Sequence, residues 1–371
     1  MKVAFRVDAS LDIGTGHIMR CLTLSDALRE RGGSCTFVCR PHQGHLIALI
    51  SERGHQALAL PELQEDTSPN CNGTAHAQWL GTNWATDAKE SQIALSVQTG
   101  GKSLDWLVVD HYALDARWEE ALRPQAKRLM VIDDLANRLH ACDLLLDQNF
   151  GRQEKDYVGL LRGKPPTTLV GPHYALLRAD FAKLRKQSLA RRKNNTQLRH
   201  LLITMGGVDK DNATGRILAT LKSCNLEGNL RITVVMGPHA PWLDEVQAQA
   251  AQMPWPVQVL VGVNNMAQIM AESDLAIGAA GVTAWERCSL GLPSLLLVLA
   301  ENQFPGAVAL QKVGAAVVVE TQEQIKSALK LMISAESTKE FLVKLSQAAA
   351  AITDGKGCQR IVKHMLEGMS V

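Results

Sequence analysis

MKVAFRVDASLDIGTGHIMRCLTLSDAL, residues Met1–Leu28, is the stretch that decides the fold. Val3 to Asp8 is a short apolar run that reads as a strand, and Gly14-Thr15-Gly16-His17 is a turn. Ile18, Cys21, Leu22, Leu24 and Leu28 then recur at helical spacing. Strand, glycine turn and helix form the opening unit of a doubly wound α/β sheet. The turn is neither G-x-x-x-x-G-K-S/T nor a complete G-x-G-x-x-G. Two readings of it stay open. The glycines can let backbone N–H groups approach an anion beside a helix N-terminus, or the turn is simply tight, with His17 an incidental cap residue.

The same alternation continues outward. Val-, Ile- and Leu-rich runs bounded by turn residues predict strands at residues 35–40, 106–110, 129–133, 144–147 and 168–171. A second series follows at 201–205, 232–236, 257–261, 275–278, 294–298 and 316–320. Two doubly wound α/β domains of Rossmann type are therefore expected, as residues 1–187 and 199–353. Ser188 to Gln197, SLARRKNNTQ, is polar and charged without apolar period, which predicts a linker over 188–198. Residues 354–371 end in an amphipathic segment expected to pack back on the first domain, and the stretch from Gln64 to Ala77 reads as an exposed insertion.

Composition bounds the function. The 371 residues are 46% hydrophobic with a net charge of only +2. Dispersed Lys and Arg give no case for nucleic acid, and Arg191-Arg192-Lys193 reads as part of the linker. No run approaches a membrane span of about 18 apolar residues, so no membrane partner is expected. Arg6 and Asp8 interrupt the first apolar run, which excludes a signal-peptide core there. Eight cysteines without C-x-x-C or zinc spacing fit buried thiols in a reducing, cytoplasmic compartment. Neither H-x-x-x-H nor H-E-x-x-H occurs, so neither a metal nor another cofactor is expected.

Two further turns carry candidate chemistry. Thr204 to Asp209, TMGGVD, puts Gly206 and Gly207 after the first strand of the second half. They line either a ligand site or a helix–sheet packing point. The stretch Ser273 to Gln303 holds a small-residue turn at Gly278 to Gly281, a helix with Glu286, a strand, and Asn302-Gln303. Such a turn suits a diphosphate, and a carboxylate one helical turn on suits ribose hydroxyls; the alternative for Glu286 is compensation of the helix dipole. Asp110 with His111, Asp133 with Asp134, and Asn149 end strands and read mostly as caps or loop residues, one or two of them at a substrate.

Five blocks in order, FRVDASLDIGTGHIMRCLTLSDAL, VVDHYALD, VGPHYALLRADF, LITMGGVDKDN and AAGVTAWERCSLGLPSLLLVLAENQ, span almost the whole chain. Together they resemble the UDP-2,4-diacetamido-2,4,6-trideoxy-β-L-altropyranose hydrolases of pseudaminic acid biosynthesis, relatives of the glycosyltransferase that makes lipid II. The resemblance implies the glycosyltransferase-B architecture, two Rossmann-like domains facing across a cleft with UDP held mainly by the C-terminal one. It implies that His17 is the catalytic base. Uridine and diphosphate contacts then fall on Gly281, Val282, Thr283 and Glu286, with further contacts on Asn302 and Gln303. Tyr174 and Arg178 are implied as substrate-side contacts, and Gly14, Gly16, Arg20, Gly206 and Gly207 complete the expected substrate contacts.

The chemistry agrees with that resemblance. UDP leaves as an anion, so cleavage of the anomeric C–O bond does not demand the dedicated acid that an alcohol leaving group needs. One base and a site for the departing charge suffice, and attack by water inverts the anomeric centre. The expected enzyme is a metal-independent, monomeric hydrolase serving flagellin glycosylation or a surface polysaccharide. Its rivals are a UDP-sugar glycosyltransferase of the same fold, a non-hydrolysing UDP-sugar epimerase and a non-catalytic nucleotide-sugar binding protein.

Overall fold

The computed structural model describes residues 1–62, 76–194, 198–224, 229–333 and 336–368. Most of the expected insertion, including Cys71, lies outside them. The chain divides into two compact units, Met1–Leu176 with Cys358–Val371, and Leu177–Gly357.

The first unit contains β1 (Lys2–Val7), α1 (Gly16–Arg29), β2 (Ser34–Cys39), α2 (Ile47–Glu52), β3 (Gln56–Ala59), α3 (Trp84–Thr99) and β4 (Leu104–Asp110). It continues through α4 (Ala116–Leu122), β5 (Ala126–Ile132), β6 (Leu144–Asp147) and β7 (Thr167–Val170). Its seven strands are all parallel, in the order β3-β2-β1-β4-β5-β6-β7. Buried side chains on both faces explain why these strands read as continuous apolar runs. The polar interruptions of β1 are internal. Arg6 is fully buried, 2.7 Å from both Asp8 and Asp87, and Asp87 also accepts from Arg40 and from Trp118 Nε1.

The second unit begins with α5 (Ala179–Asn194), β8 (His200–Thr204), α6 (Ala213–Lys222), β9 (Arg231–Met236), α7 (Leu243–Ala250), β10 (Val257–Val261) and α8 (Met266–Glu272). There follow β11 (Leu275–Ala279), α9 (Thr283–Ser289), β12 (Ser294–Leu297), α10 (Phe304–Lys312), β13 (Val317–Val318), α11 (Gln322–Ile333) and α12 (Glu336–Ile352). Its sheet is β10-β9-β8-β11-β12-β13, again parallel. The final helix, α13 (Gly357–Glu367), joins the first unit's core through Cys358, Ile361, Val362 and Met365, and Met365 O accepts from Trp106 Nε1 at 3.2 Å.

The expected linker is corrected. Residues 188–194 continue α5, most of whose residues are Ala, Leu, Lys, Arg and Gln, strong helix formers. Its arginines are docked, not solvated. Buried Arg192 donates to the carbonyls of Leu290, Ser273 and Met270, while Arg191 pairs with Asp274. These carbonyls end helices and lack partners within them, so cations at that point satisfy both hydrogen bonding and the dipole. The contact division accordingly falls at Leu177, ahead of the helix.

Candidate functional site

In each unit the strand order reverses beside the first strand, between β1 and β4 and between β8 and β11. Open α/β sheets form crevices at the carboxyl ends of such strand pairs. Both candidate groups of residues sit there.

In the first unit His17 lies in the first turn of α1, just past β1, and Asp110 is the last residue of β4. His17 Nδ1 is 2.6 Å from Asp110 Oδ1. A carboxylate only accepts, so Nδ1 carries a proton, and in the neutral imidazole the lone pair is then on Nε2. Nε2 makes no hydrogen bond to the described residues, and the side chain is 10% exposed. Arg20, one turn along α1, grips the same carboxylate through Nε and Nη2, each at 2.6 Å, and donates from Nη1 to Asp134 at 2.5 Å. Burial alone would raise the Asp110 carboxyl, but Arg20 and His17 hold it well below the usual carboxylate range. Tyr112 closes the ring, donating to Asp134 at 2.9 Å and meeting His17 edge-on with centroids 4.6 Å apart. Trp79 stacks on Tyr112 at 5.5 Å.

Arg20, expected to touch substrate, instead has both faces of its guanidinium committed to Asp110 and Asp134. Gly14 takes φ of 78°, the left-handed conformation glycine tolerates, and its N–H closes the turn onto Ser10 O. Tyr174 is partly buried against the first unit's core. Asp133 accepts from the N–H groups of Leu135 and Ala136 and from Arg138, and Asn149 donates to Asp134 O, so both are structural.

In the second unit Gly206 has φ of 96°, and a Cβ on Gly237 would lie 1.9 Å from Gly207 O, so the loop after β8 presses against the end of β9. The N-terminus of α6 is not open to a ligand: Asp209 accepts from the N–H groups of Ala213 and Thr214, and Asn212 from that of Gly215. The turn after β11 differs. Gly281, Val282 and Thr283 are partly exposed, and a Cβ on Gly281 would come within 3.6 Å of Gln303 Nε2. Gln303 belongs, with Asn302, to the 3-10 turn Glu301–Gln303 and accepts from Leu299 N–H. Partly buried Glu286 has its carboxyl pushed up by burial, opposed by the nearby charges of Arg178 and Arg287. Arg178 donates to Asn264 O at 2.7 Å. The structure thus gathers Gly281, Val282, Thr283, Glu286, Gln303 and Arg178 in one neighbourhood.

Tyr112 and Trp79 were not singled out from the sequence, and Asp110 and Asp134 were read only among strand-end residues that mostly cap loops, one or two of them at a substrate. Asp110 carried a usable signal, a carboxylate at the carboxyl end of a strand, but its link to His17 depends on β1 and β4 being neighbours across 93 residues.

Comparison with known proteins follows the same division. Residues 200–358 match the glycosyltransferase family 28 C-terminal domain. The chain is 25% identical, over 85% of its length and 97% of the relative's, to the UDP-2,4-diacetamido-2,4,6-trideoxy-beta-L-altropyranose hydrolase of Campylobacter jejuni. It is 24% identical over 82% of its length to an uncharacterized protein of Methanocaldococcus jannaschii, of which it spans 57%. The crystal structure of Acinetobacter baumannii MurG superposes with a TM-score of 0.67 at 15% identity, covering 99% of each chain. The chain has the glycosyltransferase-B fold, and the part of it that matches a family model, residues 200–358, is similar to the glycosyltransferase family 28 C-terminal domain.

Proposed function

We propose that the protein hydrolyses UDP-2,4-diacetamido-2,4,6-trideoxy-β-L-altropyranose to UDP and the free sugar, as a step in pseudaminic acid biosynthesis. The observation that carries this reading is the 2.6 Å contact between His17 Nδ1 and Asp110. It leaves Nε2 as a base of fixed orientation. Water loses its proton to Nε2 as its oxygen bonds to the anomeric carbon, the C–O bond to UDP breaks, and the configuration inverts. Asp110 stabilises the imidazolium that forms, and Arg20 holds Asp110 from behind as a positioning residue. Gly14, Gly16 and Tyr174 serve the sugar. Gly281, Val282 and Thr283 bind the diphosphate, Glu286 accepts from the ribose hydroxyls, and Arg178, Gly206, Gly207, Asn302 and Gln303 complete the contacts. The hydrolase relative in Campylobacter jejuni supports the choice of water and of sugar.

The match of residues 200–358 to a glycosyltransferase family favours a second reading, in which the same base activates an acceptor hydroxyl. Incubation with a panel of UDP-sugars, with and without candidate acceptors, separates the two. Free sugar and UDP in equal amounts without any acceptor support hydrolysis. UDP release that requires an acceptor overturns it.

A further inference from the structure

Arg287, on α9, is a buried cation that forms no salt bridge to the described residues. Its side chain is fully buried, yet no carboxylate of the described residues lies within 4 Å of it. Nη2 donates to Ala279 O at 2.6 Å, Nη1 donates to Thr283 Oγ1 at 3.3 Å, and Nε has no hydrogen-bond partner among the described residues. Burial, only partly opposed by the nearby charge of Glu286, pulls the guanidinium down to about 10, far below an ordinary arginine. Of the other buried arginines described, Arg6, Arg20 and Arg40 each hold two carboxylates and Arg138 holds one, while Arg192 is met by three backbone carbonyls that use its Nε, Nη1 and Nη2.

The chain makes room for this cation. A Cβ at position 278 would lie 2.3 Å from Arg287 Nη1 and 2.8 Å from Thr204 O, so Gly278 is glycine because the guanidinium lies against its backbone. Thr283 is the outlet. Its oxygen accepts from Arg287, so its own O–H is left to donate, and Thr283 is partly exposed. A hydroxyl polarised by a cation behind it is a stronger donor to an anion in front.

We propose that Arg287 is the resident counter-charge for the substrate's diphosphate, acting as a positioning residue through the Thr283 hydroxyl. The inference rests on the reading that UDP binds at the 281–286 turn. A buried charge without a salt bridge destabilises the free protein, and a bound anion relieves that cost, so the arrangement trades stability for anion affinity.

The test is titration calorimetry and thermal unfolding of the full chain with UDP and, separately, with inorganic pyrophosphate, for wild type, Arg287→Met, Arg287→Lys, Thr283→Val and Thr283→Ser. Loss of a charge-assisted donor predicts that Arg287→Met and Thr283→Val weaken UDP roughly tenfold to a hundredfold. Arg287→Lys and Thr283→Ser should retain most of the affinity. The free Arg287→Met protein should melt within about 3 °C of wild type while losing most of its UDP-induced stabilisation. If wild type binds UDP and Arg287→Met binds it equally well, the inference falls and the UDP reading stands. If wild type binds pyrophosphate but not UDP, and Arg287→Met binds neither, the inference stands and the UDP reading falls. If wild type binds neither anion, both fall. A Met variant that melts far below wild type, with Arg287→Lys equally unstable, assigns Arg287 to scaffolding alone and overturns the proposal.

Discussion

Asp110→Asn probes the His17 site most sharply, because the geometry forbids the amide from replacing the carboxylate. Asp110 Oδ1 faces His17 Nδ1 and Arg20 Nη2, and Oδ2 faces Arg20 Nε, so both oxygens must accept. An amide has one acceptor. If its NH2 group faces Arg20 Nε, two donors collide; if it faces His17, the imidazole must turn its lone pair inward and lose the base at Nε2. The second outcome predicts a fall in kcat of roughly two to four orders of magnitude. The first leaves the buried Arg20 with Asp134 as its remaining full acid partner. Breaking a buried pair costs about 3 kcal/mol, or about 6–12 °C in melting temperature for a unit of this size. UDP affinity should stay within about threefold, since its proposed contacts belong to the other unit. Circular dichroism melts, UDP calorimetry and steady-state turnover measure the three effects separately. A folded Asp110→Asn protein with near-wild-type kcat at neutral pH would refute the assignment of His17 as an oriented base.

Three other outcomes follow from the geometry. Burial opposes the charged form of His140, but Asp133 and Glu119 at its two ring nitrogens outweigh it and raise the imidazole to about 9. A raised histidine stabilises fully below its unfolded value near 6.5 and loses that contribution as pH rises through about 9, so about 3 kcal/mol should vanish on the alkaline side. Urea midpoints from pH 6 to 10 should show this, and His140→Gln should flatten the alkaline limb. Gly237→Ala, whose Cβ meets Gly207 O at 1.9 Å, should destabilise by about 1–3 kcal/mol in denaturant titration, because a backbone oxygen cannot step aside. Glu286→Ala should raise the UDP dissociation constant by about tenfold while kcat changes less, since its proposed partners are ribose hydroxyls remote from the reacting carbon; unchanged affinity in calorimetry returns Glu286 to a dipole-compensating role.

The two-sheet architecture was legible because fully buried parallel strands must be continuous Val, Ile and Leu runs, and twelve of the thirteen strands among the described residues were anticipated on that ground. The exception, β3, is an edge strand of four residues, QALA, whose outer positions are exposed. Edge position removes the burial that writes the signal. The false linker has the opposite cause. Ser188 to Asn194 is polar because its arginines bond carbonyls rather than pack apolar surface, a use of charge that no local pattern distinguishes from solvation. At the site, His17 and the turn at Gly281 announced themselves through local chemistry, glycines and a histidine beside a helix start. Asp110 and Asp134 were legible only as strand-end carboxylates, and Arg287 not at all. Their roles depend on which strands are neighbours and which guanidinium lies under which glycine, facts set by tertiary packing rather than by spacing.

The position of bond cleavage tests the account at its centre. Turnover of the UDP-sugar in heavy-oxygen water, followed by mass spectrometry of both products, reports where the attacking oxygen lands. Attack at the anomeric carbon by water activated at His17 Nε2 places one heavy oxygen on the newly released sugar and none in UDP, and His17→Asn lowers the rate of that incorporation by roughly two to four orders of magnitude. Heavy oxygen in the terminal phosphate of UDP, or undiminished incorporation by the folded His17→Asn protein, contradicts it.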